Sequence, residues 1–385
     1  MKTTAVLLSI SLMTGLALAQ TPKVEPVPNP AAAGSSQVNW SVTQDGSPLL
    51  SWVEPMKDGS FALRYAVRKG ADWSEARTIA ANRKFFHHPA EMPNVTALKD
   101  GTLIAEWIEQ PNASSEAEFL FVSASPDGVK WSAPVMASHD KSEAQHGLAS
   151  IIGTGDREAS IFWLQALKGE DGPVSLMRSV ISADGKELKE EDLDSDVCAC
   201  CPTSVVKTAK GTLVAYRDHT KANIRDISVT RLENGKWTAP KNVYADKWEI
   251  DACPVNAASA SAKGDKVAIA WYTASDDKAR VELASSNDDG ASFGKMTVVS
   301  TGEAYGYAST AIDDAGGAWV SWLERGKGNA RLLMRHVSDA GVAGPVVEIA
   351  TGTRKDLGYP HILRSGGDLW IAWNSTSKIQ TARLK

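Results

Sequence analysis

The chain has only four cysteines in 385 residues, and after residue 19 it has no long apolar run. A membrane-crossing helix needs roughly 18 consecutive apolar residues, so no membrane span is expected. Basic runs are also missing: 41 Lys and Arg stand against 46 Asp and Glu, a formal charge of -5. Duplex nucleic acid calls for a concentrated positive face, and that partner class is excluded with it. The scarce cysteines are not scattered. Three occupy Cys198-Ala199-Cys200-Cys201-Pro202, and the fourth stands in Asp251-Ala252-Cys253-Pro254-Val255-Asn256.

Residues 1 to 19 read as a secretory signal, with Lys2 as a charged start, a mostly apolar stretch from Ala5 to Leu18, and small residues at Ala17-Leu18-Ala19. No cysteine follows the signal to carry a lipid anchor, so a soluble periplasmic or secreted protein is expected. Residues 20–36 hold Pro22, Pro26, Pro28 and Pro30 and read as an extended tether. In an oxidising compartment the four cysteines default to disulfides, with three connectivities open.

From Gln37 onward the texture is short alternating apolar runs separated by Asp-Gly, Asn-Gly and Gly-Gly turns, the signal of strands and hairpins. An apolar strand ending in an aromatic recurs seven times, at Trp52, Trp107, Trp163, Tyr216, Trp271, Trp322 and Trp373, at intervals of 51 to 56 residues. Each unit parses into four strands, the aromatic strand second. One four-stranded sheet cannot bury both faces, so repeated sheets stack radially. The reading is all-β: residues 37–385 form a single β-propeller of four-stranded blades, seven by this count and six if the first or third unit is incomplete. The last unit reaches Lys385 after three strands, and its outer strand can come from the tether, where prolines are tolerated on an edge.

The segment Ser286-Asn287-Asp288-Asp289-Gly290-Ala291-Ser292-Phe293 matches the Asp-box pattern, and Ser125-Pro126-Asp127-Gly128 with Trp131 is a shortened relative. On these motifs residues 37 to 385 resemble the sialidase-like, or BNR-repeat, propellers. The box is structural in that family, which assigns Ser286, Asp288, Gly290 and Phe293 to a turn away from the active site. Sialidases of this architecture hold a substrate carboxylate with three arginines and use a Tyr/Glu nucleophile pair and an Asp acid/base. This chain carries no Arg-Ile-Pro start and no recognisable arginine triad, so the resemblance points to an exported branch marked by Cys-x-Cys-Cys.

In a propeller the loops leading into the first strands form one mouth of the channel. Those loops gather Phe86-His87-His88-Pro89, Gln145-His146-Gly147, Cys198 to Pro202, Cys253 to Asn256, Tyr305-Gly306-Tyr307 and Tyr359-Pro360-His361. One reading is a metal site of Cys198, Cys200, Cys201 and Cys253 with His88 or His146, a soft ligand set suited to copper(I) or zinc. The competing reading is disulfide bonding, with a strained bridge between neighbours as a redox element. Arg217-Asp218 and Arg225-Asp226 form either an anion clamp, with the Asp side chains orienting a ligand or moving a proton, or a salt-bridge network between blades. Tyr305, beside Tyr307 and Glu303, is either half of a Tyr/Glu pair or part of the channel lip. The leading expectation is binding of an acidic or polar glycan at the mouth. Cleavage, if it occurs, is expected to be of the exo-sialidase-like glycoside hydrolase kind. A Cys/His metal or redox protein and a non-catalytic scaffold with stapled loops are the alternatives.

Overall fold

The computed structural model describes residues 22–112, 115, 117–166 and 172–385. The signal assigned to residues 1 to 19 lies outside the described residues. Seven antiparallel sheets follow one another along the chain. In the first, Ser36–Val42, Pro48–Pro55 and Phe61–Lys69 run in order, and two short outer strands, Asp72–Trp73 and Arg77–Ala81, both pair with the third. The first strands of neighbouring sheets touch in a closed ring, with Ser36–Val42 packed against both Asn94–Ala97 and His361–Ser365. That is a seven-bladed β-propeller. Among the described residues no helix is long and apolar enough to cross a membrane.

The last sheet takes its outer strand from the other end of the chain. Val24–Pro26 pairs antiparallel with Ile379–Leu384, placing Val24 opposite Leu384. Backbone bonds Lys23 N to Lys385 O at 3.0 Å and Val27 N to Thr381 O at 2.9 Å extend the seam.

The recurring aromatic is the unit's core. Trp52, Trp107, Trp163, Trp271 and Trp322 are fully buried, as is Tyr216. Burying an indole removes about 200 Å² from water, worth roughly 5 kcal/mol at 25 cal/mol per Å². The indole N–H must still find an acceptor, and the strand supplies it two residues on. Trp52 donates to Glu54 at 2.8 Å, Trp107 to Glu109 at 2.7 Å, Trp163 to Gln165 at 3.2 Å and Trp322 to Glu324 at 3.0 Å. Trp271 is followed at that position by Thr273, and it donates instead to Asp246 at 2.7 Å.

The Asp box closes the turn between Arg280–Ser286 and Thr297–Val298. Asp288 accepts from Ser292 N at 2.9 Å and Ser292 Oγ at 2.6 Å, and Ser286 Oγ donates to it at 2.7 Å. Burial opposes ionisation of Asp288, but these bonds outweigh it and hold the carboxyl at about 2. Asp289 reaches the turn of the preceding blade, accepting from Lys210 N at 2.9 Å. Because strands alternate in direction, these turns occupy the face opposite the cysteine loops.

Candidate functional site

The loops that enter the first strands are built against neighbouring blades. Val197 bridges to Asp218, and Cys198 N donates to Arg217 O at 3.1 Å, so the cysteine loop is tied to its own second strand. Thr203 N bonds Leu148 O at 3.1 Å in the blade before. In the blade after, Asn256 N donates to Cys201 Sγ at 3.4 Å, and Asn256 Oδ1 accepts from Tyr307 N at 2.7 Å. Val255, Tyr307 and Tyr359 all have positive φ, 48°, 53° and 38°. That conformation is costly for side chains of these shapes and is held here by the surrounding bonds.

All four cysteines carry free thiols in this structure. Cys198 and Cys201 are buried and Cys200 half-buried, and the sulfurs of Cys200 and Cys201 each lie 3.8 Å from Cys198 Sγ. Hydrogen bonding among the three sulfurs pulls the Cys198 thiol down in pKa and pushes Cys200 up. Burial is the main cause of the rise at Cys201. Cys253 is exposed and lies outside the close group of three sulfurs, although it faces the same Arg225 guanidinium; neither histidine proposed with it joins the group. His146 is fully buried, its Nδ1 2.9 Å from Glu118 O and its Nε2 3.5 Å from Asp140. His88 stacks on Phe86 with ring centroids 5.6 Å apart. The mixed Cys/His set expected from the sequence therefore resolves into three sulfurs and separate imidazoles.

The expected Arg/Asp clamp is also taken apart. Arg217 is 1% exposed, and its guanidinium donates to the carbonyls of Arg225 at 2.6 Å, Asn256 at 3.2 Å and Tyr272 at 2.8 Å. Asp226 accepts from Lys247 N and Trp248 N at 2.9 and 3.0 Å. Asp218 accepts from His219 N at 2.8 Å and Ser228 Oγ at 2.7 Å. Burial raises the pKa of both aspartates. These three residues hold the b–c loop of the fourth blade, the connection between its second and third strands, with their polar groups bonded to it and to the next blade. Arg225 is different: half-buried, it donates from Nη1 to Cys198 Sγ at 3.3 Å. Glu303, the proposed partner of Tyr305, is ion-paired to Arg325 at 3.1 Å.

What the mouth does present is Arg354. It is exposed, forms no ion pair among the described residues, and donates from Nε to the Tyr307 hydroxyl at 2.9 Å. Its guanidinium lies 5.5 Å from the Tyr305 ring centroid and 5.1 Å from that of Tyr307. Tyr307 in turn packs on Tyr359 at 4.4 Å. Arg354, Tyr307, Tyr359, His87, His88 and Asn374 wall a cavity of about 590 Å³, within the range of small-ligand sites. Sequence reasoning missed Arg354. The available signal was position, since it shares the loop that brings Tyr359 to the mouth.

A second feature went unread. A Cβ on Gly147 would lie 2.0 Å from Glu118 Oε2 and 2.6 Å from Glu91 Oε1, so two carboxyls meet where only glycine leaves room. Burial, with Glu118 adding to it, keeps Glu91 protonated well above the usual carboxylate range.

Ring closure and a ligand-sized mouth define this molecule as a seven-bladed β-propeller with a cavity at one end of its channel. The profile of the BNR repeat-like domain matches residues 60–371, and the chain belongs to that family. A crystal structure of a protein of unknown function from Dyadobacter fermentans superposes with a TM-score of 0.51 at 16% identity, covering 94% of this chain and 97% of the other. A polysaccharide lyase superposes with a TM-score of 0.55 at 9% identity, covering 96% and 94%. No curated protein sequence matches the chain. The sialidase-like resemblance thus holds at the level of fold.

Proposed function

We propose that the protein binds a glycan bearing a carboxylate or sulfate in the mouth cavity, and that it does so outside the cytoplasm, as the signal-like residues 1 to 19 indicate. One observation carries the reading: Arg354 offers an exposed guanidinium without a carboxylate partner among the described residues, held in place by the Tyr307 hydroxyl and by the rings of Tyr305 and Tyr307. A fixed planar fork suits bidentate binding of an anionic group, and the buried Tyr307 and Tyr359 rings, packed on each other, back it as a rigid apolar wall. The polysaccharide lyase among the structural neighbours bears on the fold alone at its level of identity. The proposal is one of recognition; Glu303 is ion-paired to Arg325, whose guanidinium also lies over the Tyr305 ring.

Isothermal titration of a uronate disaccharide against its carboxyl-reduced counterpart tests this. A charge-assisted bond contributes about 1.5–3 kcal/mol, so Arg354→Ala is expected to weaken the uronate at least about tenfold and leave the reduced sugar unchanged. Equal affinity for the two sugars, or for the two proteins, overturns it.

A further inference from the structure

The three sulfurs of Cys198, Cys200 and Cys201 have the dimensions of a ligand set. All three lie within 4.8 Å of one another, and two of the separations are 3.8 Å. A metal–sulfur bond of about 2.3 Å puts two sulfurs on a common ion roughly 3.8 Å apart in a tetrahedral arrangement and roughly 4 Å apart in a trigonal one. The spacing needs no large rearrangement for one ion to sit among them.

The surroundings of the sulfurs are those of a thiolate site. Arg225 donates to Cys198 Sγ at 3.3 Å, and the Asn256 backbone N–H donates to Cys201 Sγ at 3.4 Å. Hydrogen bonds to sulfur orient metal-bound thiolates and tune their charge. Arg225 is itself fixed, its backbone N–H bonded to Trp248 O at 2.9 Å, while its buried Nε has no partner. Cys200 is half-buried and gives the site a route to solvent.

Ligand type and number then choose the metal. Among the described residues no His, Asp, Glu or fourth Cys completes the group. Structural zinc sites are almost always four-coordinate, whereas soft thiolates suit copper(I). We infer that Cys198, Cys200 and Cys201 bind one copper(I) ion through three sulfurs, with Arg225 offsetting the charge of the thiolates. Binding releases the protons the thiols carry and requires no change of oxidation state. The inference is separable from the glycan reading, since Arg354, which carries that reading, is neither a ligand nor a hydrogen-bond partner of the sulfurs.

The test uses the full chain, reduced and kept anaerobic, titrated with copper(I) in competition with a chromophoric copper(I) chelator. The expected result is one equivalent withdrawn from the chelator, with X-ray absorption showing sulfur neighbours only. Cys200→Ser and Cys201→Ser should each weaken retention at least tenfold, while Cys253→Ser and His88→Ala leave it unchanged. Circular dichroism of each variant checks that the fold is retained; should Cys201→Ser fail to fold, half-buried Cys200 decides. Failure of the folded wild type to withdraw copper overturns the inference. So does equal sensitivity to Cys253→Ser, or tighter retention of zinc than of copper in a parallel titration.

Discussion

The guanidinium of Arg217 donates to the backbone carbonyl of Arg225 at 2.6 Å, so one arginine builds the loop that carries the other. The sequence leaves both open as members of an anion clamp or of a salt-bridge network between blades. Their partners differ because the other two acceptors of Arg217 come from the next blade, at Asn256 and Tyr272.

Arg217→Ala is therefore expected to act on stability. It strips the bond from the buried Asn256 carbonyl and the part-buried carbonyls of Arg225 and Tyr272; a buried group left without a donor costs about 1–3 kcal/mol, so a loss of at least about 2 kcal/mol is expected in urea unfolding. Arg225→Ala should cost about 1 kcal/mol or less. Equal losses in the two variants would contradict the assignment.

Gly290→Ala tests the Asp box. Gly290 has φ +77°, and an added Cβ would lie 2.3 Å from Leu213 Cδ1. Left-handed backbone alone costs an L-residue about 1–2 kcal/mol, and the contact adds to that. Thermal unfolding should show a loss above about 1 kcal/mol, whereas Gly264→Ala, which has φ +62° and nothing within 4 Å, should show the backbone part alone.

Stability should fall as pH rises from 5 to 8. Burial raises the pKa of Glu106 from its ordinary 4.5 to about 8, with Asn94 bonding in opposition. Between those values the folded carboxyl keeps a proton that the unfolded chain has released. Its contribution is complete below pH 4.5 and is lost as pH climbs through about 8. One such group gives a slope of about 1.4 kcal/mol per pH unit. Glu106→Gln removes that slope; Glu91 and Glu282, both raised by burial and a neighbouring carboxyl, leave a remainder, and buried His361, lowered to about 4, offsets part of it below pH 6.5. Unfolding midpoints measured across this range, wild type against variant, decide the matter.

Deleting residues 20–27 should open the ring's seam. The three bonds joining Lys23 and Val27 to Lys385 and Thr381 contribute roughly 1 kcal/mol each, and the ladder of Val24–Pro26 on Ile379–Leu384 goes with them, so a loss of at least roughly 3 kcal/mol is expected. Ile379–Leu384 also becomes a free edge, and exposed edges template self-association. Light scattering is expected to show oligomers of the deleted form, and an unchanged monomer with unchanged stability would contradict it.

The repeat was legible in the chain because it is a local demand made seven times. A second strand must bury an aromatic on the same side, and Trp52 through Trp373 state that demand with one residue per unit. Blade number follows from counting them, and the cysteine loops inherit a common mouth from their position ahead of the first strands. Partner choice at that mouth was not legible. Whether an arginine is consumed or presented depends on carbonyls supplied by another blade, as Arg217 bonded to Asn256 and Tyr272 differs from Arg354 held by Tyr307. Likewise Cys253 shares the Cys-Pro pattern of Cys201 yet stands exposed, because local sequence sets which loop a side chain is on and only the packing of adjacent blades sets where its sulfur points.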